Sequence, residues 1–202
     1  MSFQALIFDV GGVLLHTRAG GRRQVWEERL GLPLGHLSKI VFGSEVSRQA
    51  GVGLVPESEV WVYMANFWGL SIQESQDLER DFWSDDGLNI PLVDLIQSLR
   101  PYYKIAALSN AWSGAREAFQ AYGLHTLVDT MIISAEEGIA KPDEHIYRIA
   151  VQRLDVEAGN SIFVDDIAKN VQGARSVGMQ GIQFQTTAQT IEELSKYLGL
   201  PS

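Results

Sequence analysis

"LIFDVGGVLLH", residues 6–16, decides the fold. An apolar run, Leu6-Ile7-Phe8, stops on one carboxylate, Asp9, and two residues later comes the glycine pair Gly11-Gly12. Short apolar runs without alternation are what strands of a parallel sheet look like when both faces are covered. The first run extends over "FQALIFDV" (3–10). Four more follow it: "KIAALSN" (104–110), "TMIISA" (130–135), "SIFVDD" (161–166) and "GIQFQ" (181–185).

Helical stretches lie between them. "PLVDLIQSLR" (91–100) places a proline at a first helical position. "SGAREAFQAYG" (113–123) reads from a Ser113 cap to a Gly123 stop. "PDEHIYRIAVQRL" (142–154) opens with a proline and two acids, and "AKNVQGARSVG" (168–178) ends on glycine. "TIEELSKYLG" (190–199) reads as a capping box from Thr190 to Glu193. Strand–helix alternation of this kind predicts an α/β fold, a doubly wound parallel sheet.

Residues 16–88 show no strand pattern. "RRQVWEERLG" (22–31) looks helical with Val25 and Leu30 inward. "PESEVWVYMANFW" (56–68) carries Trp61, Met64, Phe67 and Trp68 on an apolar face, and "SIQESQDLERDFW" (71–83) starts with a Ser71–Glu74 capping box. The expected organisation is a core of residues 1–15 and 89–202 and a small helical insertion, 16–88, placed after the first strand.

Bulk properties narrow the function. The chain has 202 residues, 46% of them hydrophobic, enough for one sizeable core. No apolar run approaches a membrane span. The first strand begins by residue 3 and leaves no room before it for a signal peptide, so a cytoplasmic protein is expected. Cysteine is absent, which removes disulfides, zinc thiolates and cysteine nucleophiles together. A net charge of −9 speaks against nucleic acid and anionic membrane partners. The basic group Arg18, Arg22 and Arg23 is too small for a nucleic-acid stripe. A small phosphorylated metabolite remains a suitable partner.

Open parallel sheets bind ligands outside the carboxyl ends of their strands. Asp9 ends the first strand and Ser109-Asn110 the second. Lys141 follows the third, and Asp165-Asp166 end the fourth with Asn170 one turn on. Adjacent acids beside a third acid repel unless a cation stands among them, and a hard divalent ion such as Mg²⁺ suits an all-oxygen set. A nucleophilic carboxylate, an ion site, a hydroxyl, an amide and a lysine are the parts needed to transfer phosphoryl to an aspartate. Gly11 and Gly12 permit a tight turn whose amides add donors.

Four stretches in order, "FDVGGVL", "LSN", "KPDEHIY" and "VDDIAKNVQGARSVGM", resemble the motifs of the haloacid dehalogenase (HAD) superfamily of phosphohydrolases. The likeness covers about residues 3–16 and 90–200. The insertion sits where that family carries a helical cap of its first type. The overall character is similar to the subgroup with the phosphatase domain of soluble epoxide hydrolases and bacterial sugar-phosphate phosphatases. The resemblance implies a HAD-like Rossmannoid core, Mg²⁺ as cofactor, and hydrolysis of a phosphate ester, such as a sugar phosphate, through an aspartyl-phosphate. It implies Asp9 as nucleophile and Ser109 and Asn110, with Gly12, on the phosphoryl group. Lys141 bridges the charges. Asp9, the Gly11 carbonyl, Asp166 and Asp165 (direct or through water) hold the metal, and Asn170 orients Lys141 or its loop.

One departure stands out. The family's second motif aspartate, the proton donor to the leaving group, is Gly11 here. Loss of a general acid costs roughly 10²–10⁴ in rate. Gly11 therefore motivates an alternative, a non-catalytic module that binds phosphate ligands or a protein. Dehalogenases also lack that aspartate, but the Asp165-Asp166 pair argues against metal-free chemistry. A phosphonate hydrolase needs a cap lysine, and Lys39 reads as solvated. His16 is a candidate substitute acid. Arg22, with Arg23, is a candidate for a second anionic group of the substrate. His145 reads as structural.

Overall fold

The computed structural model describes residues 3–200. In chain order the elements are β1 (Ala5–Phe8), β2 (Leu15–Thr17), α1 (Arg22–Leu30), α2 (His36–Gly43), α3 (Glu45–Gly51), α4 (Glu57–Trp68), α5 (Ile72–Ser84) and β3 (Asp86–Leu88). Then come α6 (Ile90–Leu99), β4 (Lys104–Ser109), α7 (Ala115–Ala121), α8 (Leu124–Leu127), β5 (Thr130–Ile133), α9 (Ser134–Glu137) and α10 (Glu144–Leu154). The chain finishes with β6 (Ser161–Asp165), α11 (Ala168–Ser176), β7 (Gln180–Gln183) and α12 (Thr187–Leu198).

Five strands form a parallel sheet in the order β5-β4-β1-β6-β7. The expected doubly wound α/β sheet is therefore present. The chain moves outward from β1 on one side and then returns to its other side, so the switch point lies at β1. Both faces are covered. Leu6, Phe8, Ile105, Ala107, Ile162 and Val164 pack under α6, α8 and α12. Their neighbours Ala5, Ile7, Ala106, Leu108 and Phe163 meet α10 and α11 on the other face. This is why the strands show no polar alternation: successive side chains point to opposite faces, and neither face meets water.

A third apolar cluster belongs to α1–α5. Trp26, Leu37, Val41, Val60, Trp61, Met64, Leu78 and Phe82 form it, with Trp112 inserted from the loop after β4. Among the described residues no helix is long and apolar enough to cross a membrane.

Several sequence expectations are corrected. Residues 16–88 do contain strand: β2 and β3 pair antiparallel, Thr17 opposite Asp86, so the helical segment leaves and returns through one two-stranded neck. Strands of three residues are too short to show a pattern, and their pairing spans 69 positions. Val25 is 54% exposed while Trp26 and Glu27 turn inward. The Glu27 carboxylate accepts the Gly35 and Leu37 amides at 2.9 Å each, which caps α2 from inside. In α4, Trp61 and Met64 are buried but Phe67 is 59% exposed. The Ser71–Glu74 capping box is present. That of α12 lies one turn earlier than expected, at Thr186–Gln189, and Thr190 is buried within the helix. α7 is capped by Gly114, not Ser113, whose hydroxyl instead accepts the amide of Glu57 at the start of α4.

Candidate functional site

Four strand ends meet at the carboxyl rim. The Asp9 amide donates to the Val164 carbonyl at 2.8 Å, which carries the β1–β6 ladder one residue past the strand and brings Asp9 beside Asp165. Lys141, in the loop before α10, reaches between them. Its Nζ lies 2.9 Å from Asp9 Oδ1 and 2.6 Å from Asp165 Oδ2. All three side chains are buried. The lysine also lies over the Phe163 ring, 5.5 Å from its centroid.

The lysine is fixed through its main chain. Asn110 donates to the Lys141 carbonyl at 2.9 Å and accepts the Lys141 amide at 2.8 Å. That reciprocal pair lets Asn110 hold Lys141 and leaves one N–H of its carboxamide over. Asn170 donates to both oxygens of Asp165 at 3.1 Å and reaches Lys141 only through that carboxylate. The Ile167 amide adds a bond to Asp165 Oδ1 at 2.8 Å. Asp165 is therefore fully engaged, whereas its neighbour Asp166 is exposed.

Asp9, Asp165 and Asp166 bring one carboxylate oxygen each within 4.8 Å of one another. Lys141 supplies one positive charge against three acids. In that setting burial pushes the Asp9 carboxyl up to about 7; Lys141 opposes the rise and Asp165 adds to it. Burial also raises Asp166, and the charge of Asp165 adds to this. The donor set fits a hard divalent cation: it is all oxygen, anionic in excess, and open on the Asp166 side. A β-carbon on Gly12 would lie 2.7 Å from Asp166 Oδ2, so the glycine leaves the room in which Asp166 joins the cluster.

The turn after Asp9 differs from the expectation of free amides. Val10 donates to Asp9 Oδ1 at 2.7 Å, and Gly12 donates to the Leu15 carbonyl at 2.8 Å. Gly12, with φ of 79°, thus serves the turn and the approach of Asp166, not phosphate through its own N–H. Ser109 ends β4 buried, in register with Ile133.

The peripheral candidates separate. His16 stands in the neck, its ring 5.5 Å from that of Phe184. Arg22 is exposed and gives its backbone amide to Asp85. Arg23 is committed elsewhere: it binds Asp86 at 2.9 Å, Thr17 at 2.7 Å and the Phe82 carbonyl at 2.5 Å. Lys39 is exposed in α2, and His145 is exposed against Asp143 at 2.7 Å. Tyr147 was not singled out from sequence. It is wholly buried, its hydroxyl donates to the Asn170 carbonyl at 2.7 Å, and burial raises it well above the ordinary phenol range. Its place in "KPDEHIY", two turns after Lys141 and on the inward face of α10, was the available signal.

A family model for the haloacid dehalogenase-like hydrolases matches residues 3–178. The chain is 30% identical to "Phosphatase MT3486" of Mycobacterium tuberculosis over 94% of its length and 91% of that protein's. It is 28% identical to "Sesquiterpene phosphatase astK" of Aspergillus oryzae, covering 98% of each. It is 26% identical to the pig "Bifunctional epoxide hydrolase 2" but spans only 40% of that longer protein. A HAD family enzyme from Bacteroides thetaiotaomicron, solved with magnesium and inorganic phosphate, superposes with a TM-score of 0.76 at 17% identity, over 92% of this chain and 96% of that one.

Proposed function

The chain belongs to the haloacid dehalogenase-like hydrolases, and from that premise we propose that it is a Mg²⁺-dependent phosphatase of a small phosphorylated metabolite, acting through an aspartyl-phosphate. The observation that carries the reading is the buried Lys141 placed between Asp9 and Asp165, with Asp166 beside them, so that three carboxylates face one lysine. Asp9 is the nucleophile: its oxygen bonds to phosphorus as the ester oxygen leaves, and water then releases phosphate and restores the carboxylate. Lys141 binds the negative oxygens, and Asn110 keeps it in place through its main chain. Ser109, at the end of β4, donates its hydroxyl to the phosphoryl group.

Asp9, Asp166 and the Gly11 carbonyl would hold Mg²⁺, with Asp165 direct or through water, and the ion would supply positive charge beside the phosphoryl oxygens. Asp165 keeps Lys141 and Asn170 in register. Residues 16–88 act as a cap that excludes bulk water and selects the ester. A relative of nearly equal length is named a sesquiterpene phosphatase, while the sequence suggested a sugar phosphate; both are phosphate monoesters.

The experiment is hydrolysis of a panel of phosphate esters with and without Mg²⁺. Turnover that needs Mg²⁺ and falls by about 10⁴-fold or more in Asp9→Asn is expected. Unchanged turnover in that variant sinks the reading. Gly11 offers no proton, so aryl esters, whose leaving groups need least, are hydrolysed faster than alkyl esters. Equal rates point to another acid, and His16→Ala then tests the one histidine of the neck.

A further inference from the structure

The side of the α1–α5 cluster that meets the core is aromatic. Trp112, two residues beyond Asn110, is carried by the core yet lies 5.4 Å from Phe42, 6.0 Å from Trp61 and 5.7 Å from Trp83. Trp83 comes two residues before Asp85 and leads straight into the neck at β3. The two indoles therefore approach from different sides, one from the loop that follows Ser109 and Asn110 at the end of β4 and one from the neck, and meet 5.7 Å apart.

Trp61, Phe82 and Trp112 are buried as an ordinary core, but Phe42 is 46% and Trp83 36% exposed. Their rings lie 6.1 Å apart. Exposed aromatic area side by side at a cap–core joint is costly to leave wet. The donors nearby are already engaged, and the polar group left between Trp61 and Trp83 is the Glu57 carboxyl, which burial raises. The Trp112 indole N–H goes to the Ser47 carbonyl, that of Trp61 to Glu57, and Arg23 to Thr17, Asp86 and Phe82. No free donor of these residues is left for the oxygens of a sugar, whereas two ring faces are left to bind carbon.

Resting on the phosphatase reading, we infer that the substrate is the phosphate monoester of an apolar alcohol, whose hydrocarbon lies against Phe42 and Trp83 while its phosphate stands at Asp9. These two residues then determine specificity.

The test compares kcat/KM for methyl, hexyl and decyl phosphate (below micellar concentrations) and glucose 6-phosphate, all with Mg²⁺. Buried methylenes give roughly three- to fourfold each, so decyl exceeds methyl phosphate by about a hundredfold or more. Phe42→Ala and Trp83→Ala each reduce that ratio by about tenfold or more, and Ile72→Ala, at the far end of α5, leaves it in place. A melting curve on each variant establishes folding. Inhibition of the unaltered protein by alkylphosphonates of increasing length repeats the test without any substitution. A decyl-to-methyl ratio near one, a preference for glucose 6-phosphate, or a ratio untouched by both substitutions overturns the inference while the phosphatase reading stands. No hydrolysis of any ester overturns both.

Discussion

Among the described residues, acids gather around a basic side chain both at the neck and at the rim, and the two groups are built to opposite ends. At the neck, Arg23 answers Asp86, while Asp85 is answered by the amides of Arg22 and Arg23 at the start of α1, 2.8 and 2.7 Å away. The guanidinium also lies 4.1 Å from the centre of the Phe82 ring. Asp85, Asp86 and Arg23 each have a partner there. At the rim, Lys141 faces Asp9 and Asp165 with Asp166 alongside, and the charge does not balance. The neck is complete as a structure. The rim carries more acids than its lysine answers. The difference separates a joint from an active centre, because satisfied charges hold position and unsatisfied ones bind.

The comparison breaks most severely at Lys141. Lys141→Met leaves buried carboxylates without their lysine, and a loss of about 3–5 kcal/mol is expected in urea unfolding at pH 7. A loss below 1 kcal/mol would mean that the acids already ionise little without it.

Asp9 gives the metal-free protein a pH signature. Its folded pKa is raised from 3.8 to about 7, so between those values the folded state binds more protons than the unfolded state. Its contribution to stability is therefore fully present below pH 3.8, fades as pH rises through about 7, and is absent above. Melting curves of wild type and Asp9→Asn in EDTA should diverge in that window, the wild type losing more. Parallel curves refute the charge excess.

Mg²⁺ should raise stability by about 2.7 kcal/mol at a hundred times its Kd, read as a melting shift, and Asp166→Asn should remove most of that shift. At the neck the effect is smallest. Asp85→Ala removes the acceptor of two helix amides and should cost about 1–2 kcal/mol, with no dependence on Mg²⁺. A Mg²⁺-dependent loss there would merge the two groups into one.

The rim was readable in the sequence because its carboxylates and Ser109 sit at the ends of strands, with Lys141 in the loop before α10. A buried parallel strand has one visible terminus, and Asp9, Ser109 and Asp165 mark theirs. The wiring was not readable. That the Asn110 carboxamide bonds the Lys141 main chain, and that Asp165 rather than Asp166 takes the lysine, depends on side-chain direction, which motif order does not encode. The neck escaped for another reason: His16-Thr17 pairs with Asp86-Gly87 across the whole helical segment, and contacts that distant leave no local periodicity. Phe67 and Val25 looked like core because apolar spacing marks a face but not whether anything covers it. Ser113 looked like a cap for its own helix and caps α4 instead.

The neck also bears on how the helical segment is joined to the sheet. Residues 18–85 are flanked by Thr17 and Asp86, which are hydrogen-bonded to each other at 2.7 Å. Seen from the sheet, the whole excursion is a loop whose two ends already touch. Its length costs the sheet little, since closure entropy grows only as the logarithm of loop size. What ties the segment to the sheet besides the neck is the loop after β4, where Trp112 enters its apolar cluster and Ser113 accepts the amide of Glu57.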